Sequence, residues 1–534
     1  MKYGMGKKRA ERRRPVVAPI ATVKAAIVIF ISSFCTLVIE LVAGRILAPH
    51  VGVSLYTWTS IIGVVLAGIS LGAYLGGKLA DRYPRVSTLG WLLFLSGLSA
   101  FAISPLINLI GAARFYTPLM IQILIISTLI FFLPSCLLGM ISPVVVRLAL
   151  QNLQRTGNTV GKIYAFSTLG SILGTFATGF FLISWLGTRN VLFATGAILL
   201  LSAPLFGGFF IRKTTLALFC VVFIPLLVGF REVAFKPALE EGTFLFKESD
   251  YYTIQLRKSG GTGDLQLVTL YIDNLTHSCS ALNDPFHLVY RYVRVYEEVL
   301  RWQAARRESF RTLFIGGGGY TLPRYVEARY PKADVDVVEI DPEITRVSLD
   351  HLGVRKETKI RTFNTDGRWF VMNHQDKEKY DFIFLDAFND LSVPYHLTTL
   401  EFSLQLKKLL KPDGLLLVNV IDSFDKGLFL PSYTRTLQDV FGKGKVHMLT
   451  LAPSDAFIGV ANSVVVASPQ ELDLEHFARF LKSAGSEEPV SHVMPQDRLQ
   501  RYLNERHSLL LTDDYVPVDN LIAPVFEELY GYRR

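Results

Sequence analysis

The chain has 534 residues, a formal net charge of +9 and a mean hydropathy of +0.33. It is too long for one ordinary domain and too apolar for a typical soluble protein. Seven basic residues and a single acid lie within residues 1–14. The positive charge is therefore typical of a tail beside a membrane segment, and it argues against a nucleic-acid-binding surface. Its four cysteines show neither metal-ligand spacing nor a disulfide framework.

Long apolar runs between residues 21 and 230 predict membrane-spanning helices, because a helix satisfies its own backbone polar groups in lipid. About seven spans are expected, at residues 22–43, 56–77, 87–110, 116–139, 162–186, 190–211 and 214–230. The first is too long for a signal-peptide core and no small-residue cleavage site follows it, so we interpret it as retained. Basic residues alternate between the loops, which places the amino terminus in the cytoplasm.

Two of these spans carry small residues four positions apart, a spacing that puts them on one helix face and lets a second helix approach closely. They are Gly68, Gly72 and Gly76 in the second span and Gly170, Gly174 and Thr178 in the fifth. Glu40 lies well inside the first span. An acid there marks either a transport path or a purely structural pair, and the sequence leaves both open.

After residue 231 the pattern changes to that of a soluble protein. Residues 244–273 alternate apolar and polar side chains around a Gly-Gly-Thr-Gly turn, which predicts a β-hairpin. Residues 282–306 are expected to form a helix, whose Tyr290, Tyr292 and Tyr296 either line a pocket or pack against a sheet. Packing is the favoured interpretation.

Residues 312–341 read as strand, glycine turn, helix and strand. Gly316 to Gly319 form the turn, and Glu339 follows twenty residues after Gly319, where a nucleotide-binding fold places a carboxylate for the ribose hydroxyls. A merely flexible glycine loop is the alternative, and the position of the turn between a strand and a helix, with Glu339 at this distance, favours the nucleotide-binding interpretation.

Further strands are predicted at residues 359–364, 380–385, 415–420, 445–451 and 463–467. Strands that alternate with helices predict a doubly wound sheet, which binds ligands at the carboxyl ends of its strands. Glu339, Asp366 and Asp386 each follow a strand and should meet at one rim. One such acid alone would be read as a helix cap, but three beside a glycine turn predict a site for a cationic ligand such as a sulfonium or an amine.

Four motifs between residues 310 and 425 resemble the spermidine synthase (polyamine aminopropyltransferase) family. IGGGGYTLPRYV stands at that family's glycine turn, VEID at its ribose-binding strand end, NTDGRWFV at its adenine-contacting loop and DFIFLDAFNDLSVPYHLTTLEF at its catalytic strand and gate. KESDYYTI and LYIDNLTHS resemble its amino-terminal β-domain. An apolar bundle followed by this domain resembles the membrane-fused members, and the resemblance implies a fold like that of nucleoside-dependent methyltransferases.

The resemblance implies transfer of an aminopropyl group from decarboxylated S-adenosylmethionine to an amine such as putrescine, with release of methylthioadenosine and without a metal. Asp386 matches the catalytic aspartate, which accepts the proton of the attacking amine. The residues expected to bind the nucleoside donor are Gly316, Gly317, Gly318, Glu339, Asp341, Asp366 and Gly367. Substrate contacts are expected from Tyr252, Asn389, Asp390 and Tyr395.

Several positions depart from the family pattern. Gly319 stands where the family has an aspartate for the donor's amine, and Asn389 stands where it has a second catalytic-loop acid. Tyr252 replaces a glutamine and Arg291 a histidine. Each change removes a ligand for an ammonium group, which puts the polyamine specificity in doubt.

Two alternatives therefore stay open: a methyltransferase that uses S-adenosylmethionine, and a transporter whose soluble domain senses a nucleoside or a polyamine. The expected partners are a small amine and the lipid bilayer, with no nucleic acid, and a homodimer is left open. The protein is expected in the cell membrane. A donor made in the cytoplasm favours a cytoplasmic catalytic domain, whereas an odd number of spans favours the opposite side.

The expected fold class is a multi-pass α-helical membrane bundle followed by an α/β part, in which a small β-hairpin domain precedes a doubly wound, methyltransferase-like sheet. The expected domains are a basic cytoplasmic tail at residues 1–20, a transmembrane bundle at 21–230, a small β-domain at 240–282 and a nucleoside-binding catalytic domain at 283–534.

Overall fold

A computed structural model describes residues 20–52, 54–111, 119–150, 156–208, 229, 235, 239–260, 264–273, 275–374, 379–387, 393–452, 459–483, 489–526 and 528. The chain divides into two compact units. The first comprises Met1–Ile46, Thr59–Ala112 and Leu124–Pro237, and the second comprises Leu47–Trp58, Ala113–Ile123 and Ala238–Arg534.

The first unit is helical. The helices that contribute to it are α1 (Thr22–Val51), α2 (Leu55–Arg82), α3 (Val86–Gly111), α4 (Leu119–Ser127), α5 (Leu133–Ala149), α6 (Thr156–Ala177), α7 (Ile183–Leu186) and α8 (Thr188–Gly207). The end of α1 and the starts of α2 and α4 fall in the second unit. A π-helical turn joins α4 to α5 and another joins α6 to α7. Among the described residues, six continuous helical segments are long and apolar enough to cross a membrane. The seventh expected span, at residues 214–230, lies outside the described residues except for Gly229.

The first and fourth helices run several residues past their predicted ends, whereas the sixth, expected at residues 190–211, already ends at Gly207. The first was expected at residues 22–43 and extends to Val51, and the fourth was expected to end at residue 139 and extends to Ala149. Hydropathy marks the apolar part of a helix, whereas helices also continue through polar residues until the backbone is capped. Glu40 is half-buried on α1. Within the part of the chain that the structure describes, no side chain forms an ion pair with it.

The predicted glycine faces are confirmed. A Cβ atom added to Gly72 would lie 2.1 Å from the Cys136 carbonyl oxygen, and one added to Gly76 would lie 2.6 Å from Met140 Cα. Gly170 and Gly174 approach the backbone of α1 in the same way, with the Phe30 carbonyl oxygen 2.4 Å from the added Cβ of Gly170. These helices touch backbone to backbone, so each glycine occupies a place that no larger residue fits.

We expect Gly72→Ala to destabilise the helical unit by about 1–3 kcal/mol, because the new methyl group overlaps a backbone oxygen that cannot move alone. Gly77→Ala is the matched control: it lies on the same helix with no atom within 4 Å of its Cβ position. That change should be neutral or stabilising by about 0.5–1 kcal/mol, since alanine favours the helix. Thermal unfolding of the purified protein in detergent measures both, and equal melting temperatures for the two variants would contradict the expectation.

The second unit begins with a four-stranded antiparallel sheet in the order β1-β2-β3-β4. The strands are β1 (Thr243–Glu248), β2 (Thr253–Ser259), β3 (Leu267–Ile272) and β4 (Leu275–Ala281). β2 and β3 pair across the Gly-Gly-Thr-Gly segment, with Ile254 opposite Ile272, so the predicted hairpin is confirmed. The sequence did not predict β4, because the stretch LTHSCSA lacks the alternation of a half-buried strand.

An eight-stranded sheet follows, in the order β12-β10-β11-β9-β8-β5-β6-β7. Its strands are β5 (Arg311–Ile315), β6 (Asp334–Val338), β7 (Arg361–Phe363), β8 (Tyr380–Leu385), β9 (Leu410–Ser423), β10 (Val446–Thr450), β11 (Val460–Ala467) and β12 (His492–Val493). The helices are α9 (Arg291–Ala304), α10 (Thr321–Arg329), α11 (Pro342–His351), α12 (Gly367–Met372), α13 (Leu400–Leu409), α14 (Phe429–Phe441), α15 (Leu474–Ser483), α16 (Gln496–Glu505), α17 (Val518–Leu521) and α18 (Ala523–Phe526).

The strands β9, β8, β5, β6 and β7 are parallel, as expected of a doubly wound sheet. The expectation was wrong for the other end, where β11 pairs antiparallel with both β9 and β10. The reason is the connection: only nine residues separate β10 from β11, and a parallel crossover needs a dozen or more. Apolar runs reveal the strands but not their direction.

The parallel part brings the glycine turn beside Asp386. Ile315, the last residue of β5, pairs in register with Leu385, the last residue of β8. Phe314 and Phe384 stack beneath them with ring centroids 4.6 Å apart, in a cluster of buried aromatic and aliphatic side chains. Burial of this cluster fixes the register, because a shift by one residue would turn these side chains to the other face.

Candidate active site

The glycine turn crosses the ends of β5 and β8. The Asp386 amide donates to the Ile315 carbonyl at 2.9 Å, and the Gly316 amide donates to the Val338 carbonyl at 2.9 Å. Gly316 has φ +98°, and a Cβ at this position would lie 2.3 Å from the Asp386 carbonyl oxygen. Gly316 is therefore required both by its backbone angle and by the approach of the neighbouring strand.

Glu339 supports the turn from below. One carboxylate oxygen accepts from the Gly317 amide at 2.8 Å and the other accepts from the Asp341 amide at 3.0 Å. The side chain is buried, and burial raises the pKa of Glu339 to about 7 against the lowering effect of hydrogen bonds from the amides of Asp341, Gly317 and Gly318. A carboxylate has about four lone-pair positions, so about one remains for a hydroxyl donor of a ligand.

The next acids along the rim cap helices. Asp341 caps α11 through the Glu343 amide at 2.9 Å and accepts from the Ser249 hydroxyl at 2.5 Å. Asp366 caps α12 through the Trp369 amide at 2.9 Å, and its other oxygen meets His396 Nε2 at 2.8 Å. The hydrogen bond from His396 lowers the pKa of Asp366.

These contacts leave the ligand roles of Asp341, Asp366 and Gly367 as predictions. A Cβ added to Gly367 would lie 2.7 Å from Ile315 Cγ2, so this glycine allows α12 to start directly against β5.

The sequence did not point to Tyr251, which is 42% exposed among the rim acids. Its pKa is raised by partial burial and then by the charges of Asp341, Asp250, Asp366 and Glu339. Tyr251 therefore lies close enough to these four carboxylates to feel their charges. The sequence shows two adjacent tyrosines after β1, and the expected substrate contact was placed on the second of them, Tyr252.

A cavity of about 360 Å³ opens beside the glycine turn. Its walls are the turn itself, the starts of β4, α9 and β11, and the ends of β8 and β9. The side chains that line it include His277, Ser278, Tyr292, Tyr296, Asp386, Asn419 and Asn462.

Asp386 lies in this cavity and is hydrogen-bonded from two sides. Asn419 Nδ2 donates to its carboxylate at 2.9 Å, and the Tyr292 hydroxyl donates to it from α9. Burial raises the pKa of Asp386, and these two hydrogen bonds oppose that increase. Uncharged donors hold this carboxylate, so it keeps its capacity to accept a proton.

The tyrosines of α9 line the cavity, which is the alternative that the sequence disfavoured. Tyr292 and Tyr296 meet edge to face at 5.9 Å, and Tyr296 also packs on Phe384 at 5.1 Å. These tyrosines therefore line the cavity and also pack against the sheet. Arg291 stands at the rim, where its guanidinium donates to the Leu451 carbonyl at 2.8 Å.

The wall at Gly319 is uncharged. A Cβ at this position would lie 2.0 Å from Ser278 Oγ, so Ser278 fills the space that an acidic side chain would need. Among the described residues, neither Ser278 Oγ nor His277 Nε2 has a hydrogen-bond partner, and both atoms are buried. Burial lowers the pKa of His277 to about 4, so its imidazole is neutral at pH 7.

Tyr252 and Tyr395, which were expected to contact the substrate, do not line this cavity. Tyr252 is 8% exposed and packs with Ile254 and Ile344 in an apolar cluster, so it does not line the cavity. Its expected substrate contact therefore has no support in this arrangement. Tyr395 is 60% exposed on a short 3-10 turn. Asn389 and Asp390 lie outside the described residues.

Comparisons with known proteins cover the same residues. Residues 303–443 match the family model described as the spermine/spermidine synthase domain. A polyamine aminopropyltransferase of Vibrio vulnificus is 31% identical over 175 residues, which cover 33% of this chain and 56% of that protein. Polyamine aminopropyltransferase 2 of Aquifex aeolicus is 24% identical over 465 residues, which cover 84% of this chain and 88% of that protein.

A solved structure, that of a probable spermidine synthase from Corynebacterium glutamicum, covers 52% of this chain and 99% of its own with 21% identity and a TM-score of 0.44. The chain spans about half the length of the first curated relatives that it matches, 56% and 52%. The Aquifex match is long enough that it must include much of the sequence before residue 238. The family-model match contains the glycine turn, Glu339, Asp366 and Asp386.

Proposed function

We propose, from the chain's place in the spermidine synthase (polyamine aminopropyltransferase) family, that it transfers an aminopropyl group from decarboxylated S-adenosylmethionine to a small amine such as putrescine and releases methylthioadenosine. One observation supports this most: a carboxylate with a raised pKa, Asp386, stands in a cavity directly beside the glycine turn. A sulfonium donor needs no metal, because its leaving group is already activated.

The proposed reaction is a single displacement. The lone pair of a neutral amine forms a bond to the carbon next to the sulfonium, and the carbon–sulfur bond breaks with its electron pair going to sulfur. The amine nitrogen then carries a positive charge and gives one proton to Asp386. A carboxylate with a raised pKa is the better proton acceptor, and the cavity walls hold the amine in line.

The nucleoside of the donor is proposed to lie along the rim of the sheet. The remaining lone-pair position of Glu339 would accept from a ribose hydroxyl, and the segment at Asp366 and Gly367 would face the adenine. Tyr251 stands among the same acids and offers a ring for stacking. The glycine turn lets the backbone approach the ligand closely.

Methyl transfer from S-adenosylmethionine is the second candidate, and one contact favours it. Ser278 occupies the space beside Gly319, so the wall offers a hydroxyl and a neutral imidazole where the family has an aspartate for the donor's amine. Uncharged groups of this kind suit a donor tail that is less cationic.

Purified protein incubated with either donor and a panel of amines separates these functions. Methylthioadenosine is expected with decarboxylated S-adenosylmethionine and at least one amine. S-adenosylhomocysteine in its place would support the methyltransferase. Binding of a nucleoside or an amine with neither product would support a sensing domain, and absence of methylthioadenosine with every amine would reject the first proposal.

We expect nucleoside binding to tighten by about tenfold between pH 6 and pH 8, because Glu339, with a pKa of about 7, ionises in this range and a charged acceptor binds hydroxyl donors more strongly. Calorimetric titration with methylthioadenosine at several pH values measures this. Glu339→Gln should remove the pH dependence. Asp366→Asn is the matched control: the pKa of Asp366 is lowered, so that variant should bind more weakly while keeping the wild-type slope.

We also propose that the six apolar helices anchor the protein in a membrane with its basic amino-terminal tail in the cytoplasm. The expected result is that the full chain sediments with membranes and resists extraction at high pH. Release of the protein by alkaline carbonate would contradict membrane insertion. Protease digestion of sealed vesicles of known orientation then reports which termini are accessible from each side.

A further inference from the structure

Two asparagines connect β11 to Asp386. Asn462 Nδ2 donates to Asn419 Oδ1 at 2.9 Å, and Asn419 Nδ2 donates to Asp386 Oδ1 at 2.9 Å. In the antiparallel pair of β9 and β11, Asn462 lies opposite Ile421 and Asn419 lies opposite Val464. The two asparagines are thus diagonal neighbours on one face of the sheet, and both border the cavity.

The direction of this chain of hydrogen bonds follows from its end. An ionised carboxylate only accepts, so Asn419 must turn its NH₂ group to Asp386 and its carbonyl oxygen away. Asn419 is 3% exposed, and an unpaired amide oxygen there would be costly. Asn462 supplies the donor that this oxygen needs.

We infer that Asn462 is a positioning residue for Asp386: its NH₂ group holds the Asn419 amide in the orientation that donates to the carboxylate. Without that donor, the Asn419 carbonyl oxygen is left unpaired in this orientation, and only the bond to Asp386 opposes rotation of the amide by half a turn. Its carbonyl oxygen would then face the Asp386 carboxylate and repel the ionised form. The effect of Asn462 on catalysis rests on the proposed function, whereas the hydrogen bonds that link it to Asp386 do not depend on that proposal.

The other described titratable or charged groups near Asp386 lie on α9, on β4 and at the rim of the cavity. From α9, the Tyr292 hydroxyl donates to the carboxylate and Tyr296 lies close enough to feel its charge. From β4, His277 stands in the cavity wall as a neutral imidazole, and Arg291 at the rim is held by the Leu451 carbonyl. Among the described residues, the β9 and β11 side therefore acts on Asp386 through Asn419, and a change at Asn462 reaches it by that route.

The first test is the pH dependence of turnover, with each variant normalised to its own high-pH plateau. Asn462→Ala should move the acidic limb upward by about half to one pH unit, the size expected for one weakened neutral hydrogen bond. Asn462→Asp should move it further, because an ionised side chain there would attract Asn419 Nδ2 away from Asp386. Asn462→Gln, which keeps a primary amide, should show a smaller upward shift of the acidic limb than Asn462→Ala. If the acidic limbs of both Asn462→Ala and Asn462→Asp coincide with the acidic limb of wild type, the inference is overturned.

The second test needs no turnover. Because the folded-state pKa of Asp386 is raised, its contribution to stability is greatest at low pH and is lost as pH rises through that pKa. Asn462→Ala should raise this pKa further, so its melting temperature should fall below wild type by an amount that grows between pH 4 and pH 7. In the Asp386→Asn background the pH dependence of this difference should vanish.

A purely structural role for Asn462 would give a difference in melting temperature that is the same at every pH, and that result would also overturn the inference. If wild type releases no methylthioadenosine with any amine, the proposed function fails while the pH-dependent melting difference still reports on the Asn462 contact. The two failures are therefore distinguishable.

Discussion

Asp386→Asn is expected to lower the rate of aminopropyl transfer by about a thousandfold or more, within the 10²–10⁴ range that a positioned proton acceptor contributes. The substituted amide keeps the size of the side chain and can still accept from Asn419 and Tyr292 through its remaining oxygen. It cannot take a proton at neutral pH, so the attacking amine stays charged after bond formation and the reaction has no local base.

Methylthioadenosine binding is the control for this variant. The glycine turn and Glu339 bind each other through backbone amides and do not involve the Asp386 carboxylate, so the affinity for the nucleoside should change by less than about threefold. Release of methylthioadenosine at a wild-type rate by Asp386→Asn would remove this residue from the mechanism. Loss of nucleoside binding together with turnover would indicate a structural role instead.

Gly316→Ala is expected to have the second large effect, the loss of both activity and nucleoside binding. At φ +98° an alanine is strained, at a cost of about 1–3 kcal/mol. Its methyl group would also lie 2.3 Å from the Asp386 carbonyl oxygen, which has to move. Since the Asp386 amide is tied to Ile315, the displacement passes directly to the catalytic strand end.

Gly318→Ala is the matched substitution in the same turn. Gly318 has φ +47°, and no atom lies within 4 Å of its Cβ position, so only a left-handed backbone costs free energy there, about 1–2 kcal/mol. We expect Gly318→Ala to retain most of its activity and Gly316→Ala to lose at least a hundredfold, in steady-state assays at saturating donor. Equal activities of the two variants would mean that the Asp386 contact does not constrain the turn.

Periodicity and composition were enough to predict the helices before residue 208 and the strands from β5 to β9, because each has an apolar pattern of its own. They did not predict β4, whose sequence is polar, or the antiparallel direction of β10 and β11, which depends on the length of a connection. The predicted ends of the first and fourth apolar helices came too early and that of the sixth came too late, since hydropathy does not mark the capping of the backbone.

Some residues of the candidate site could likewise be predicted from the sequence and others could not. Asp386 and the glycine turn were predictable because each follows its strand directly in the sequence. Asn419 and Asn462 were not, because they reach Asp386 through the register of neighbouring strands. Tyr292 was named as one of three possible pocket residues, but its contact with Asp386 depends on the position of α9. Tyr252 was chosen over Tyr251 because the sequence does not reveal which of two adjacent residues points into the core.

Glu339 is part of the scaffold that holds the glycine turn and, in the proposed function, also a ligand for the ribose. Its backbone hydrogen bonds and any bond to a ribose share one carboxylate, so occupancy of the site and order of the turn are thermodynamically linked. A bound nucleoside should therefore slow hydrogen exchange at the amides of Gly317 and Asp341, although Glu339 already accepts from both. Protection of these two amides would then report ligand affinity, independently of any chemistry in the cavity.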